Sequence, residues 1–179
     1  MFEKNIYIKG IHADYMKRLA ANIDGIIQKG IFARNLDVYM LAPIIGVIYS
    51  RRATTDNESR DITPTSIHTE QILAVIDQLE YNYRLVMLLH DKKTLPIEER
   101  MNRAFRYDRN EEMRAPGDQI FEEYVLGGIE VLFENIMKDS SEANDYIKKI
   151  FNFVCEFQER YNSQTSDDDI LKICNIARN

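Results

Sequence analysis

Residues 36–49 read Leu-Asp-Val-Tyr-Met-Leu-Ala-Pro-Ile-Ile-Gly-Val-Ile-Tyr and are apolar around nearly the whole circumference of a helix. A helix with this pattern is buried on most of its faces, so we predict that it lies at the centre of the fold. Asn35 or Asp37 can cap its start. Pro43 removes one backbone donor inside the segment, which predicts either a kink or a division into two short helices.

Most of the remaining chain also shows helical spacing of its apolar residues. In the segment before the central one, Tyr15, Leu19 and Ile23 recur in this way. The predicted helices cover residues 12–27, 36–49, 66–90, 96–107, 118–137 and 142–161, and a capping box opens a short last helix over 165–177. We therefore predict an all-α fold, a single-domain bundle of about six to seven helices that spans residues 1–179.

Three segments lack helical spacing. Residues 1–10 are expected to form an extended arm, and within them 5–9 alternate like a short strand for which no neighbouring segment offers a partner. Residues 51–65 are polar and aperiodic, which predicts a long exposed loop of the kind that is often functional. Residues 108–117 are charged and are also interpreted as a loop.

The composition indicates a globular intracellular protein. Of the 179 residues, 45% are hydrophobic and 29% are charged, a balance that disordered chains do not have. There is no apolar run long enough to span a membrane and no secretory signal, so we expect a cytoplasmic location. Cys155 and Cys174 are expected to be reduced thiols, with a disulfide between neighbouring helices as the alternative.

No pattern of residues predicts catalysis. His12, His68 and His90 are far apart and form no metal-binding motif with the cysteines, and no glycine-rich phosphate loop is present. The adjacent acids Glu122 and Glu123 point away from each other on a helix. We therefore predict no catalytic residue, no metal site and no cofactor, and expect a protein that is not an enzyme.

Arginine recurs at every third position of the segment that begins at Pro96, which places successive arginines on neighbouring positions of one helix face. Five acids share residues 96–115 with them, so intramolecular salt bridges are one interpretation and a surface for phosphates or a partner is the other. The candidate binding residues are Arg51, Arg52, Arg60, Arg100, Arg103, Arg106 and Arg109. From Pro116 onward the net charge is −7, against +1 before it, so any DNA contact is expected within the first 115 residues.

Two consecutive glycines lie inside the helical pattern Phe121-Glu-Glu-Tyr-Val-Leu-Gly-Gly-Ile-Glu-Val-Leu. Each glycine destabilises a helix interior by about 1 kcal/mol relative to alanine. A sequence that keeps both Gly127 and Gly128 indicates a close backbone approach there. The two interpretations are a tight helix crossing in the core and an interface where another chain meets this helix.

Two blocks of the sequence carry a family resemblance. The first is Ile31-Phe32-x4-Asp37-Val38-Tyr39-Met40-Leu41-Ala42-x3-Gly46 followed by Arg51-Arg52, and the second is Phe121-Glu-Glu-Tyr followed by Gly127-Gly128-Ile-Glu-Val-Leu. In this order they resemble small helical proteins associated with bacterial DNA-phosphorothioation (Dnd) defence systems. The chain departs from that pattern at Pro43 and at Val125-Leu126.

The resemblance implies a non-catalytic accessory subunit of a prokaryotic antiphage defence complex. Its expected partner is a larger ATPase or nuclease subunit of the same operon, while DNA contact and homo-oligomerisation are left open. The alternative is a free-standing DNA-binding protein or regulator that uses the arginine-rich surface.

Overall fold

The structure, a computed structural model, describes residues 2–21, 30–59, 61–107 and 110–162. Its helices are α1 (Gly10–Ala20), α2 (Asn35–Ile48), α3 (Thr69–Leu73), α4 (Ile76–Leu89), α5 (Ile97–Phe105), α6 (Glu111–Leu132) and α7 (Ala143–Asn162). A π-helical turn, Phe133–Met137, continues α6, and two short strands, β1 (Ile6–Ile8) and β2 (Thr65–Ile67), complete the described elements. The prediction of a helical bundle is confirmed.

Helix α2 lies at the centre of the bundle and packs mainly against α6. Val38 and Ala42 are completely buried in this contact region, as is Val125 of α6. Of the two outcomes predicted at Pro43, the division into two short helices was wrong, because α2 is one helix with Pro43 buried inside it. Burial of its apolar faces outweighs the one backbone hydrogen bond that proline removes.

Strands β1 and β2 form an antiparallel pair in the register Ile6↔Ile67, Tyr7↔Ser66 and Ile8↔Thr65. The alternation in residues 5–9 therefore belongs to a strand, and the prediction of helix at 66–67 was wrong. A strand partner so distant in sequence gives no local signal. Ile8 and Ile67 bury their side chains in the core, which joins this small sheet to the bundle.

Several helix boundaries differ from the predicted ones. The segment 66–90 contains two helices, α3 and α4, separated at Ala74 and Val75. The loop predicted at 108–117 was wrong from Glu111 onward, since the Asn110 side chain accepts a hydrogen bond from the Met113 N–H at 3.2 Å and caps α6 there. Residues 22–27 of the first predicted helix, the final helix 165–177 and Cys174 lie outside the described residues.

None of the described helices combines the length and apolar character that a bilayer-spanning segment requires. Cys155 forms no disulfide with any of the described residues.

Candidate interaction surface

The centre of the molecule is a helix crossing at which α2 and α6 almost touch through their backbones. A Cβ atom added to Gly128 would lie 1.8 Å from the carbonyl oxygen of Ala42, and one added to Gly46 would lie 2.2 Å from that of Tyr124. Both distances are far inside van der Waals contact. The two helices can therefore approach this closely only because neither position carries a side chain.

Gly127 faces a different neighbour, the segment that follows α2. Residues 51–58, here called the strap, leave the end of α2 and run across α6, so that a Cβ on Gly127 would lie 2.2 Å from the Arg51 carbonyl oxygen. The Ala53 N–H donates to the Glu123 carbonyl at 3.0 Å and holds the strap on the helix. The glycine pair thus accommodates one helix and one extended segment on adjacent sides of α6.

The far end of the strap is joined to the start of α1 by Asp56. Its carboxylate accepts hydrogen bonds from the backbone N–H groups of Ile11 at 2.9 Å and Glu58 at 2.8 Å. Hydrogen bonds from Ser59 and these two N–H groups hold the pKa of Asp56 well below its usual range. Gly10 has a φ of +58° and lies against Asp56, so the strap and α1 meet where a side chain would be excluded.

The two strap arginines make ion pairs with acids on α6 and on the π-helical turn that continues it. Arg51 contacts Glu130 at 2.8 Å and Glu134 at 3.5 Å, and Arg52 contacts Glu123 at 3.3 Å. These pairs are half-exposed, so each contributes little to stability by itself. Arg60, the third arginine predicted in this segment, lies outside the described residues.

Glu130 also binds a buried histidine of α1. The His12 Nε2 atom lies 3.1 Å from the Glu130 carboxylate, and only 2% of the residue is exposed. Its other ring nitrogen, Nδ1, is buried without a hydrogen-bond partner among the described residues. Glu130 therefore links the strap, α6 and α1 through one carboxylate.

The arginines of α5 are directed towards their own neighbours in the fold. The Arg103 guanidinium donates to Glu99 at 2.8 Å, and that of Arg106 donates to Asn102 at 2.9 Å. Arg100 donates to the Leu88 carbonyl. Arg103 therefore makes an intramolecular salt bridge, one of the two interpretations of the stripe, whereas Arg100 and Arg106 donate to uncharged oxygen atoms. Arg109 lies outside the described residues.

A hydrogen-bonded chain that runs from the buried Tyr124 and His90 to the exposed Asp91 lies beside the helix crossing. His90 Nδ1 is 3.2 Å from the Tyr124 hydroxyl, and His90 Nε2 is 3.3 Å from the Asp91 carboxylate. Burial lowers the pKa of His90, so the ring is neutral near pH 7. Since Asp91 can only accept, Nε2 carries the proton and Nδ1 accepts from Tyr124.

Helix α7 presents two adjacent apolar rows. The first, Tyr146, Ile150, Phe153 and Phe157, packs against the core. The second, Ile147, Phe151 and Val154, is 54%, 66% and 56% exposed. At about 100° per residue the second row continues the first around the helix, so the apolar arc of α7 is wider than the part that the bundle covers.

Another exposed row of three residues lies on α5, where Ile97, Met101 and Phe105 are 60%, 43% and 47% exposed. The Arg84 guanidinium lies over the Phe105 ring at 5.8 Å, so this row is partly covered by a charged side chain. The α7 row has no such cover among the described side chains and is the more open of the two.

Within the described ranges, no group of three or more His, Cys, Asp or Glu side chains is placed to hold a metal ion.

Residues 11–173 match the family described as DNA sulphur modification system-associated protein 4. The chain belongs to this family. The match begins in α1 and runs past the end of α7, so it includes the strap, the glycine crossing and both apolar rows. No curated protein and no solved structure matches the chain.

Membership confirms the resemblance to Dnd-associated proteins that the two sequence blocks carried. It gives this DNA sulphur modification system-associated protein an accessory role in such a system.

Sequence reasoning missed several residues that organise this surface. Asp56 lay in a segment without periodicity, so its capping of α1 had no local signal. The open row of α7 did have one, because Ile147, Phe151 and Val154 are spaced four and three residues apart like the core row beside them. Only the fold distinguishes which of the two rows is covered.

Proposed function

We propose that this protein is a non-catalytic accessory subunit of a DNA-phosphorothioation defence system and that it acts by binding a larger subunit of that system. The observation that carries this proposal is the open apolar row of α7, Ile147, Phe151 and Val154. Contiguous exposed apolar side chains on a folded protein commonly mark interaction sites.

The row also indicates the chemistry of the partner. Its polar flank contains Lys148 and Asn152, whereas the row itself carries no charge. An uncharged apolar groove or helix face on the larger subunit would cover the part of the apolar face of α7 that the bundle leaves exposed. Aromatic anchors such as Phe151 supply much of the affinity of such interfaces.

The test is co-expression of the tagged full-length chain with the products of the neighbouring sulphur-modification genes. The wild-type chain is expected to retain the larger subunit. A variant with Ile147→Ser, Phe151→Ser and Val154→Ser is expected to lose it while keeping the wild-type circular dichroism spectrum.

The matched control is Ile97→Ser with Met101→Ser, which removes exposed apolar residues from α5 and is expected to leave retention unchanged. Equal retention by the α7 variant would assign the contact elsewhere. Failure of the wild-type chain to retain any product of those genes would refute the subunit role.

A further inference from the structure

A basic hollow of about 680 Å³ lies between the end of α2 and the turn that joins α4 to α5. Three cationic side chains line it, namely Arg52 from the strap and Lys92 and Lys93 from the turn. Asp91 is the carboxylate among its lining residues. The chain as a whole has a net charge of −6, so this local cluster of positive charge is opposite in sign to the net charge of the protein.

The charges in the hollow are only partly neutralised by the protein itself. Arg52 shares its guanidinium with Glu123, and Asp91 accepts from the neutral His90 ring. Lys92 and Lys93 make no ion pair with the described residues, and both are exposed. Two ammonium groups and part of one guanidinium therefore remain for an anion.

Two non-glycine residues hold left-handed backbone on opposite walls of the hollow. Ser50 has a φ of 52° and Asp91 has a φ of 45°. At the end of α2 the Arg51 N–H donates to the Gly46 carbonyl at 2.8 Å and the Ser50 N–H donates to the Val47 carbonyl at 3.1 Å, so Ser50 occupies the helix-terminating position where glycine is usual. The serine retains a hydroxyl donor at a place where most chains have no side chain.

Apolar side chains also form part of the wall, together with Thr94 and Tyr124. Val47 and Ile48 from α2 and Leu89 from α4 line the hollow beside the cations. A phosphodiester is a compact monoanion whose two non-bridging atoms accept hydrogen bonds, and sulphur in place of one of them is softer and tolerates an apolar neighbour. Both forms of DNA backbone share the anionic diester that this set of side chains can bind.

We propose that this hollow binds a backbone phosphodiester of DNA, with Arg52, Lys92 and Lys93 supplying the positive charge and Ser50 a hydroxyl donor. The site differs from the predicted arginine surface, because it combines one of those arginines with two lysines that the sequence did not single out. It lies apart from the open row of α7, so it does not depend on the proposed protein contact.

The experiment measures binding of the full-length chain to a short fluorescent duplex by anisotropy over a range of salt concentrations. Wild-type protein is expected to bind at low salt and to lose affinity as salt rises. Lys92→Gln with Lys93→Gln is expected to lower the slope of log affinity against log salt by about 1, since the hollow holds one phosphodiester and a lost phosphate contact removes about one released counterion. Both lysines are exposed and make no ion pair with the residues that the structure describes, so this variant is expected to keep the fold.

The matched control is Lys138→Gln with Lys148→Gln, which removes the same charge from exposed positions that do not line the hollow. It is expected to retain the wild-type slope. Equal losses in the two variants would show a general charge effect and overturn the site, as would the absence of binding at low salt. Equally tight binding of polyglutamate would overturn the DNA assignment in favour of an acidic protein segment.

A second duplex of the same sequence with phosphorothioate linkages separates the two sources of the diester. Tighter binding of this duplex assigns the hollow to the sulphur-bearing backbone, and equal binding assigns it to the DNA backbone in general. The α7 triple-serine variant is expected to bind both duplexes as the wild-type chain does, so failure of the protein contact and failure of this site are distinguishable.

Discussion

The α2–α6 crossing and helix α7 show two opposite ways of using an apolar helix face. At the crossing, glycines bring backbone against backbone and leave no space for a single added carbon. Helix α7 instead covers the core with one apolar row, while the adjacent row is left exposed by the part of the chain that the structure describes. The crossing is packed so closely that its geometry depends on the absence of side chains, whereas the open row of α7 is the surface to which we assign the proposed protein contact.

The largest expected effect is at the crossing itself. Gly128→Ala would place a Cβ against the Ala42 backbone, which cannot move aside as a side chain can, and we expect a loss of about 3 kcal/mol in the free energy of unfolding. Urea denaturation measures it. Gly117→Ala is the matched control, because its Cβ would meet the end of the Tyr83 side chain, and a loss below about 1 kcal/mol is expected there. Equal losses in the free energy of unfolding for the two variants would show that the crossing is no less tolerant of an added Cβ atom than position 117 is.

A second effect is expected where the strap meets α6 and α1. Glu130→Ala removes the partner of His12 and leaves both ring nitrogens of a buried histidine unpaired, so a loss of about 2 kcal/mol is expected. Arg51→Ala breaks only the half-exposed ion pairs with Glu130 and Glu134, for which a loss of less than about 1 kcal/mol is expected. Thermal or urea unfolding of both variants compares them. If Arg51→Ala lowered the free energy of unfolding more than Glu130→Ala did, Glu130 would stabilise the protein mainly through the strap and not through His12.

The pH dependence of stability tests the hydrogen-bonded chain beside the crossing. Burial lowers the pKa of His90 in the folded state. The contribution of the neutral His90 ring to the free energy of unfolding is therefore present above the ordinary histidine pKa near 6.5, and it is lost as pH falls below that value. The charged groups that act on it are Asp91, Arg52, Arg103 and Glu123.

Urea midpoints compared at neutral pH and about one unit below the ordinary histidine pKa should therefore fall for the wild-type chain. They should fall less for His90→Gln, which does not titrate. Identical shifts in the two proteins would assign the acid sensitivity to other groups.

The smallest effect on stability is expected on the open row of α7. Phe151→Ser removes a side chain that is 66% exposed and should change the free energy of unfolding by less than about 0.5 kcal/mol. Phe153→Ser, two residues away on the covered row, removes a ring that stacks on Tyr49 at 6.0 Å and should destabilise the protein clearly more. A large loss from Phe151→Ser would mean that the open row supports the fold.

The sequence predicted the parts of this protein that depend on local pattern. Helical spacing fixed the fold class and the approximate position of most helices, and the buried character of residues 36–49 placed α2 at the centre. The local pattern predicted a loop from the charged residues after Asn110, where the capping side chain of Asn110 in fact starts α6. It also predicted one helix over an apolar run that is interrupted at Ala74 and Val75.

For the candidate interaction surface, the sequence showed which types of residue are present. Only the tertiary structure showed which partners those residues contact. The recurrence of arginine was visible in the sequence, but its pairing with Glu99, Leu88 or Asn102 is a property of side-chain direction in the folded chain. Likewise Gly127 and Gly128 indicated a close approach without showing that a helix meets one and the strap meets the other.

The sequence by itself determined a helical bundle with a glycine-mediated close approach and a family resemblance in two blocks. Only the tertiary structure decided the pairing of β1 with β2, the capping of α1 by Asp56 and the meeting of Arg52 with Lys92 and Lys93 around one hollow. The physical reason is that periodicity reports which face of a segment avoids water. It carries no information about which distant segment covers that face.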